Sequence, residues 1–418
     1  MRLETILNST VKYKSFVYKN VKLIDNVGDK RLEATIFPRK NGKMHCSGCL
    51  KIASGYDRQP CRRFEHVPLW GIRFYFYYRP RRVNCSNCGI KVEHMPWADG
   101  KRTLTKPMMI FLANWAKRLS WQETAKRFNV GWAQVFSAIE YVVAWGLAHR
   151  NLDNIKSIGI DEIAWKKGQN HYATLVYQID NGMRRLLWVG KERTVKTGLR
   201  FFRWLGKGRT SRLEHICSDM WQAYLKVIKK KAPGALHILD RFHIVANLNK
   251  AIDEVRAGEH KQLIADGFEP VLKRSRWLLL KRSENLTEKQ ECKLKDLLKY
   301  NLKSVRSYLL KEDFNSFWEY TSPAWAEKFL NRWCTRVMRS KIEPMKKQAK
   351  SIRKHKQLIL NWFIAKKQFS SGIVEGLNNK IKLATKKAYG FRTFKCLEIA
   401  LFHQLGGLDE PKMTHRFY

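Results

Sequence analysis

Hydrophobic positions follow two rhythms along this chain. Residues 106–148 repeat at helical spacing, whereas the segment from residue 155 alternates. Ile158-Gly159-Ile160-Asp161-Glu162-Ile163-Ala164-Trp165 reads as one strand, and residues 171–180 as a second. Asn181-Gly182 is a hairpin turn, and Leu186-Leu187-Trp188-Val189-Gly190 is a third strand. A helical stretch follows, with Val195, Leu199, Phe202 and Leu205 near one face. Then come a short strand at 215–219, a helix from Met220, a strand at 235–240 and a helix from Phe242. The pattern thus predicts three antiparallel strands, then helix, strand, helix, strand, helix.

Before this segment the helical rhythm breaks once. Ser120-Trp121-Gln122-Glu123 forms a capping box, in which Ser120 caps and Glu123 reaches back. That helix ends near Phe128, Asn129-Val130-Gly131 turns, and a second helix starts near Trp132. Helix, short Gly-bearing turn and helix outline a helix-turn-helix; a plain helical hairpin in a linker is the other reading. Residues 132–148 contain no Lys or Arg, so phosphate contacts fall to Lys117, Arg118, Lys126 and Arg127. Residues 257–350 are helical, charged and bear Trp277, Trp318, Trp325 and Trp333, which are expected in the core. A basic run follows from Lys341 through Lys346, Lys347, Lys350, Arg353 and Lys354 to Lys356. It is either a solvated face or a DNA contact, and the scarcity of balancing acids favours DNA.

Charge sharpens that picture. Lys and Arg number 81 against 36 Asp and Glu, a formal net charge of +45 on 418 residues. Such a chain repels itself unless an anionic partner neutralises it, and double-stranded DNA is the natural one. No run of 18 apolar residues occurs, so no membrane partner is expected. The start, Met1-Arg2-Leu3-Glu4-Thr5, lacks the apolar stretch of a signal peptide. The expected location is therefore the cytoplasm, and the nine Cys are expected as metal ligands or free thiols. Two pairs stand out: Cys46-Ser-Gly-Cys49 and Cys85-Ser-Asn-Cys88. Two such turns close a tetrahedral thiolate shell, which suits a structural zinc ion. With the aromatic strand around residues 67–78 between them, they read as a zinc ribbon. Cys61, His45 and His66 are nearby substitutes for one ligand.

The predicted order after residue 155 is the layout of an RNase H-like domain. There an Asp in the first strand and an Asp ending the fourth lie side by side, the places of Asp161 and Asp219. Such a pair suits in-line phosphodiester chemistry with two divalent ions about 3.5–4 Å apart. Magnesium, or manganese, prefers these hard oxygen ligands. A third carboxylate should come from a later helix, and Glu375 in Ser371-Gly372-Ile373-Val374-Glu375 fits. Asn378, Asn379 and Lys382 share its face and could reach phosphates. Glu375 could also be a first-turn acid favoured by the helix dipole. Asp240 and His243 admit two readings: support of the active site, or a helix cap with a histidine beneath it. Glu162 should point to the opposite sheet face from Asp161.

Together these motifs resemble the ISL-three family of bacterial insertion-sequence transposases. The resemblance is carried by the two Cys-x-x-Cys pairs, Gly159-Ile160-Asp161-Glu162, Ser218-Asp219, Asp240-Arg241-Phe242-His243, and Val374-Glu375-Gly376-Leu377-Asn378-Asn379-Lys380 with Ala388-Tyr389-Gly390-Phe391. It implies a multidomain α+β protein: a zinc ribbon in residues 1–100 and a helix-turn-helix in 101–150. It also implies an RNase H-like α/β core in 151–256 and 351–418, interrupted by a helical insertion in 257–350. It places the catalytic acids at Asp161, Asp219 and Glu375. The implied activity is metal-dependent cleavage and strand transfer at the terminal inverted repeats of the element itself, in the bacterial nucleoid; since two ends must be held together, a homodimer on DNA is expected. A nuclease without strand transfer and a non-catalytic DNA-binding regulator are the competing expectations.

Overall fold

The computed structural model describes residues 3–10, 12–166, 168, 171–367, 372–388 and 390–412, without the side chains of 10, 283 and 372–375. The chain forms two units, residues 1–151 with 384–418, and residues 152–383.

The first unit opens with helix α1 (Leu3–Thr10) and strands β1 (Phe16–Asn26), β2 (Asp29–Pro38), β3 (Ser54–Arg58), β4 (Arg62–Leu69), β5 (Ile72–Tyr78), β6 (Arg81–Cys85) and β7 (Gly89–Val92). They make two sheets, β1-β2-β5-β4 and β3-β6-β7. The aromatic run of β5 therefore joins the four-stranded sheet, not the one that carries the cysteines. Its alternate residues Phe74, Phe76 and Tyr78 are buried in a cluster with Phe16, Phe64 and Trp97. That cluster stabilises the sheet, since each ring removes a large apolar surface from water. Helices α2 (Lys106–Arg118), α3 (Trp121–Phe128) and α4 (Trp132–His149) follow. The expected capping box forms: Ser120 Oγ accepts from the Glu123 N–H and Glu123 accepts from the Ser120 N–H. Asn129 ends α3 in the left-handed region at φ 50°, and the axes of α3 and α4 meet at 115°.

The second unit is built on strands β8 (Ser157–Ala164), β9 (Tyr172–Asp180) and β10 (Met183–Lys191), helices α5 (Val195–Leu205) and α6 (Lys207–Thr210), strand β11 (His215–Ser218), helix α7 (Gln222–Lys231) and strand β12 (Leu236–Leu239). The sheet order is β10-β9-β8-β11-β12. The first three strands are antiparallel, as the alternation predicts, while β11 lies parallel to both β8 and β12. Gly182 closes the β9–β10 hairpin at φ 82°. Ile158, Ile160, Val176 and Ile216 pack with Phe201, Phe202, Tyr224 and Val227 of α5 and α7 in one core.

The long helix α8 (Arg241–Ala265) leaves β12 and leads into α9 (Arg276–Leu280), α10 (Glu288–Leu298), α11 (Lys303–Asn315), α12 (Pro323–Arg339), α13 (Glu343–Lys354) and α14 (Lys356–Ile364). These helices share a core with Ile238 and Leu239 of β12; Trp318 and Trp333 are buried in it, but Trp277 and Trp325 are exposed. The last two stand at solvent-facing helix positions that side-chain type alone does not reveal. Helix α15 (Gly372–Lys387) contains the chain boundary between the units, and α16 (Phe394–Leu405) packs on α4 in the first. Among the described residues no single helix is long and apolar enough to cross a membrane.

Candidate active site and cysteine centre

Asp161 sits late in β8 and is only 6% exposed. Ser218 pairs with Ile160 across the parallel ladder, so Asp219, next in the chain, emerges beside Asp161. β12 ends one strand further on, and the Asp240 N–H donates to Ser218 O at 2.8 Å. Asp161 within β8, and Asp219 and Asp240 just past the ends of β11 and β12, thus stand at one level of three neighbouring parallel strands.

Each acid has a distinct partner set. Asp161 Oδ1 accepts from the Glu162 N–H at 2.7 Å, and Asp161 Oδ2 accepts from the amide of Asn378 in α15. Tyr177 in β9 donates to Asn378 Oδ1 at 2.9 Å. Burial, then the charge of Asp161, hold the Tyr177 hydroxyl well above its ordinary pKa, so it remains a donor. This orients the Asn378 amide with its nitrogen toward Asp161. Asp219 Oδ1 accepts from the Trp221 N–H at 3.0 Å. Burial pushes the Asp219 carboxyl up to about 6; the Trp221 N–H and His243 oppose this, and the charges of Glu162 and Asp161 add to it. Asp240 caps α8 by accepting from the Phe242 N–H at 2.8 Å. His243 Nε2 stands 3.6 Å from Asp161 Oδ1 and 3.8 Å from Asp240 Oδ2. Burial alone would lower His243, but its contact with Asp161 and the charges of Asp240, Asp161 and Asp219 push it up to about 9. Asp240 and His243 therefore combine the cap and the contact with the acid pair.

A divalent cation fits this site. Asp219 is withdrawn from water beside Glu162 and Asp161, and Arg193 is engaged by Glu162 at 2.5 Å. Carboxylates gathered away from water, with His243 beside Asp161 offsetting part of their charge, supply the oxygen ligands that a hard cation takes. Asp161 and Asp219 would hold it. Glu375 lies in α15 one turn before Asn378, and its side chain is outside the described residues. Asn379 and Lys382 are exposed on the same helix, and Lys126 and Arg127 are exposed in the last turn of α3.

The model of the DDE-type ISL-three transposase family, described as a transposase, matches residues 158–401. The chain belongs to the ISL-three family of transposases. The chain is similar to the transposase for insertion sequence element IS1001 of Bordetella parapertussis, with 29% identity over 84% of this chain and 86% of that one. It is equally similar to the transposase for insertion sequence element IS1557 of Mycobacterium tuberculosis, 29% identical over 89% of this chain and 88% of that one. The stretch that matches the family model contains both acids of the pair, Asp240, His243, Glu375 and Asn378.

In this transposase the four cysteines come together. The Sγ atoms of Cys46, Cys49, Cys85 and Cys88 all lie within 4.8 Å of one another. Cys49 and Cys85 sulfurs are 3.5 Å apart, close to the roughly 3.8 Å edge of a tetrahedral zinc–thiolate shell with Zn–S near 2.3 Å. The Gly48 N–H donates to Cys46 Sγ, and a Cβ on Gly48 would stand 3.2 Å from Cys88 Sγ, a tight approach. The Asn87 backbone N–H lowers the Cys85 thiol, while a hydrogen bond with Cys49 raises Cys88, as expected of thiols crowded together. Cys61 is exposed and outside the cluster, and His66 is buried with Nδ1 2.9 Å from Thr105 Oγ1. His45 Nδ1 lies 2.9 Å from Leu50 O. The four thiols are compatible with a structural zinc site and leave no open position for chemistry.

Tyr177, Arg193 and Trp221 are not among the residues expected at the site from sequence. Trp221 had a usable signal: an aromatic residue two positions after the candidate acid Asp219. Tyr177 and Arg193 had none, because their roles depend on partners far away in the chain.

Proposed function

We propose that this chain binds the terminal inverted repeats of its own insertion sequence and catalyses metal-dependent DNA cleavage and strand transfer. Asp161, Asp219 and Glu375 are the catalytic acids. The observation that carries this reading is the juxtaposition of Asp161 in β8 and Asp219 just past the end of the adjacent parallel strand β11, with α15 fastened to Asp161 through Asn378. Glu375, one turn before Asn378, then supplies the third carboxylate. We read the β10-β9-β8-β11-β12 sheet as an RNase H-like core and residues 257–350 as its helical insertion. Magnesium or manganese bound there would activate the attacking oxygen and stabilise the leaving one. The protein's own residues hold the acids in place. Asn378 and the Glu162 N–H fix the Asp161 carboxylate, the Trp221 N–H fixes Asp219, and His243 balances charge between Asp161 and Asp240. Asn379 and Lys382 contact phosphates of the cut strand.

Two features support end binding. The 115° angle between α3 and α4 across a three-residue turn suits a helix-turn-helix. Lys126 lines one surface concavity with Lys386 and Lys387, a cluster suited to phosphate. Zinc in the cysteine centre is structural. Two ends must be held together, so the acting form is a homodimer on DNA.

The test is strand cleavage of the DNA flanking this gene, with Mg²⁺ or Mn²⁺, by wild type and Glu375→Gln. Cutting at the repeat ends that vanishes in the variant is expected. Cutting that persists removes Glu375 from the site. End binding without any cutting by wild type would replace this reading with the regulator.

A further inference from the structure

The second acid is followed by Met220 and Trp221, and the loop they form is tightly held. The Trp221 backbone N–H donates to Asp219 Oδ1, so the Trp221 main chain, at the N-terminus of α7, is held against the second acid. Trp221 is 39% exposed.

What lies behind the ring is built to hold it. The Arg193 guanidinium stands 4.7 Å from the Trp221 ring centroid and 3.9 Å from that of Tyr172. Arg193 is itself anchored: it donates to Glu162 Oε1 at 2.5 Å, and Glu162 Oε2 accepts from Tyr224 at 3.3 Å. The Tyr224 hydroxyl is 3.0 Å from Thr174 Oγ1 in the buried core. A chain of three polar contacts therefore runs from the core to the guanidinium, and the guanidinium supports the indole. Among the described residues no second ring packs on Trp221.

We infer that Trp221, backed by Arg193 and Tyr172, is a stacking site for an unpaired nucleobase of the DNA strand cut at Asp161 and Asp219. Base–aromatic stacking needs a flat, pre-positioned ring with one open face, and only a base out of the duplex stack offers its own face in return. The cation behind the indole adds to the attraction for a strand whose backbone is anionic. The hold of the Trp221 main chain on Asp219 confines the site to nucleotides flanking the scissile phosphate. The inference rests on the transposase reading of the acid pair.

The experiment is a coupling measurement with the full-length protein. Cleavage of an end-containing duplex is followed for wild type, Trp221→Ala and Trp221→Phe. Single abasic positions are then scanned through the nucleotides on either side of the cut. Trp221→Ala should cut the intact duplex about 10- to 100-fold more slowly, and Trp221→Phe should recover most of that loss. At one flanking position the abasic substrate should slow wild type by a similar factor and leave Trp221→Ala unaffected. Thermal melting and circular dichroism of the variants check that the fold is intact. If wild type cuts and the two losses simply multiply at every position, the stacking site is refuted while the transposase reading stands. If wild type cuts no end, the transposase reading falls and the stacking site falls with it.

Discussion

The cysteine centre and the acid centre assemble in opposite ways. In the first, two knuckles of four residues and the β6–β7 hairpin bring four sulfurs within 4.8 Å, and each knuckle supplies two ligands by itself. In the second, each side chain comes from a separate element, and Asn378 reaches Asp161 across 217 positions of sequence. The cysteine centre has a small apolar core of its own, Val83 with Cys46 and Cys85. The acid centre rests on the cores on both sides of its sheet. A small region with few apolar residues is expected to depend on a bound metal for folding, whereas the acid centre depends on the fold for its geometry. Removing metal should therefore unfold the one and only silence the other.

Zinc removal should have the largest effect. Chelation, or Cys85→Ser, should release one zinc per chain and cost the region around β3, β6 and β7 on the order of 10 kcal/mol. Metal content and hydrogen exchange measure this, and retained protection in those strands without zinc would break the comparison. Next comes Asp161→Asn, for which cleavage should fall about 10³-fold or more, because several kcal/mol of charge stabilisation is lost. Its melting temperature should stay near that of wild type, and a variant that unfolds would show the acid to be structural.

A third effect separates the sheet beneath the acids from the acids themselves. His237 Nε2 lies 2.8 Å from Ser218 Oγ, and Asn361 of α14 donates to His237 O at 2.7 Å. Burial, then the charge of His355, push the His237 imidazole down to about 4. Its folded pKa lies below the unfolded value near 6.5, so the unfolded chain gains a proton first as pH falls. Stability should thus decline between about pH 6.5 and 4, by up to roughly 3 kcal/mol from this residue. Urea melts at pH 7 and 4.5 should show a smaller decline in His237→Gln. The smallest effect concerns Asn378. Asn378→Ala should slow cleavage about 10- to 100-fold and raise the Mg²⁺ concentration required, as loss of a group orienting a metal ligand does. Tyr177→Phe, which frees the amide to flip, should do less; equal rates for both variants and wild type would show that α15 docks without this lock.

Much of the fold was legible because its signals are local. The alternation of residues 158–165, the Asn181-Gly182 turn and the Ser120–Glu123 box each act within a few positions, and each forms. The β1–β2 hairpin was not legible. Only the start of β1 is buried, at Phe16 and Tyr18, and its outer half carries Lys19, Lys22 and Asp25 in water, so alternation is too short to read. The aromatic run of β5 was legible as a strand but not as a member of the four-stranded sheet, since pairing with β2 is a long-range choice.

The candidate site divides along the same line. Local pattern was enough to put two thiol pairs on knuckles, Asp161 in a strand, and Asp219 and Asp240 at strand ends. Those statements depend on period and spacing, which a short window contains. Only the tertiary structure decided that β11 lies parallel beside β8, that α15 brings Asn378 onto Asp161 and under Tyr177, and that His243 stands between Asp161 and Asp240. Tyr177 and Asn378 are 201 positions apart, and no local energy links them. Their meeting is set by sheet order and by burial of whole faces, which are properties of the packed chain.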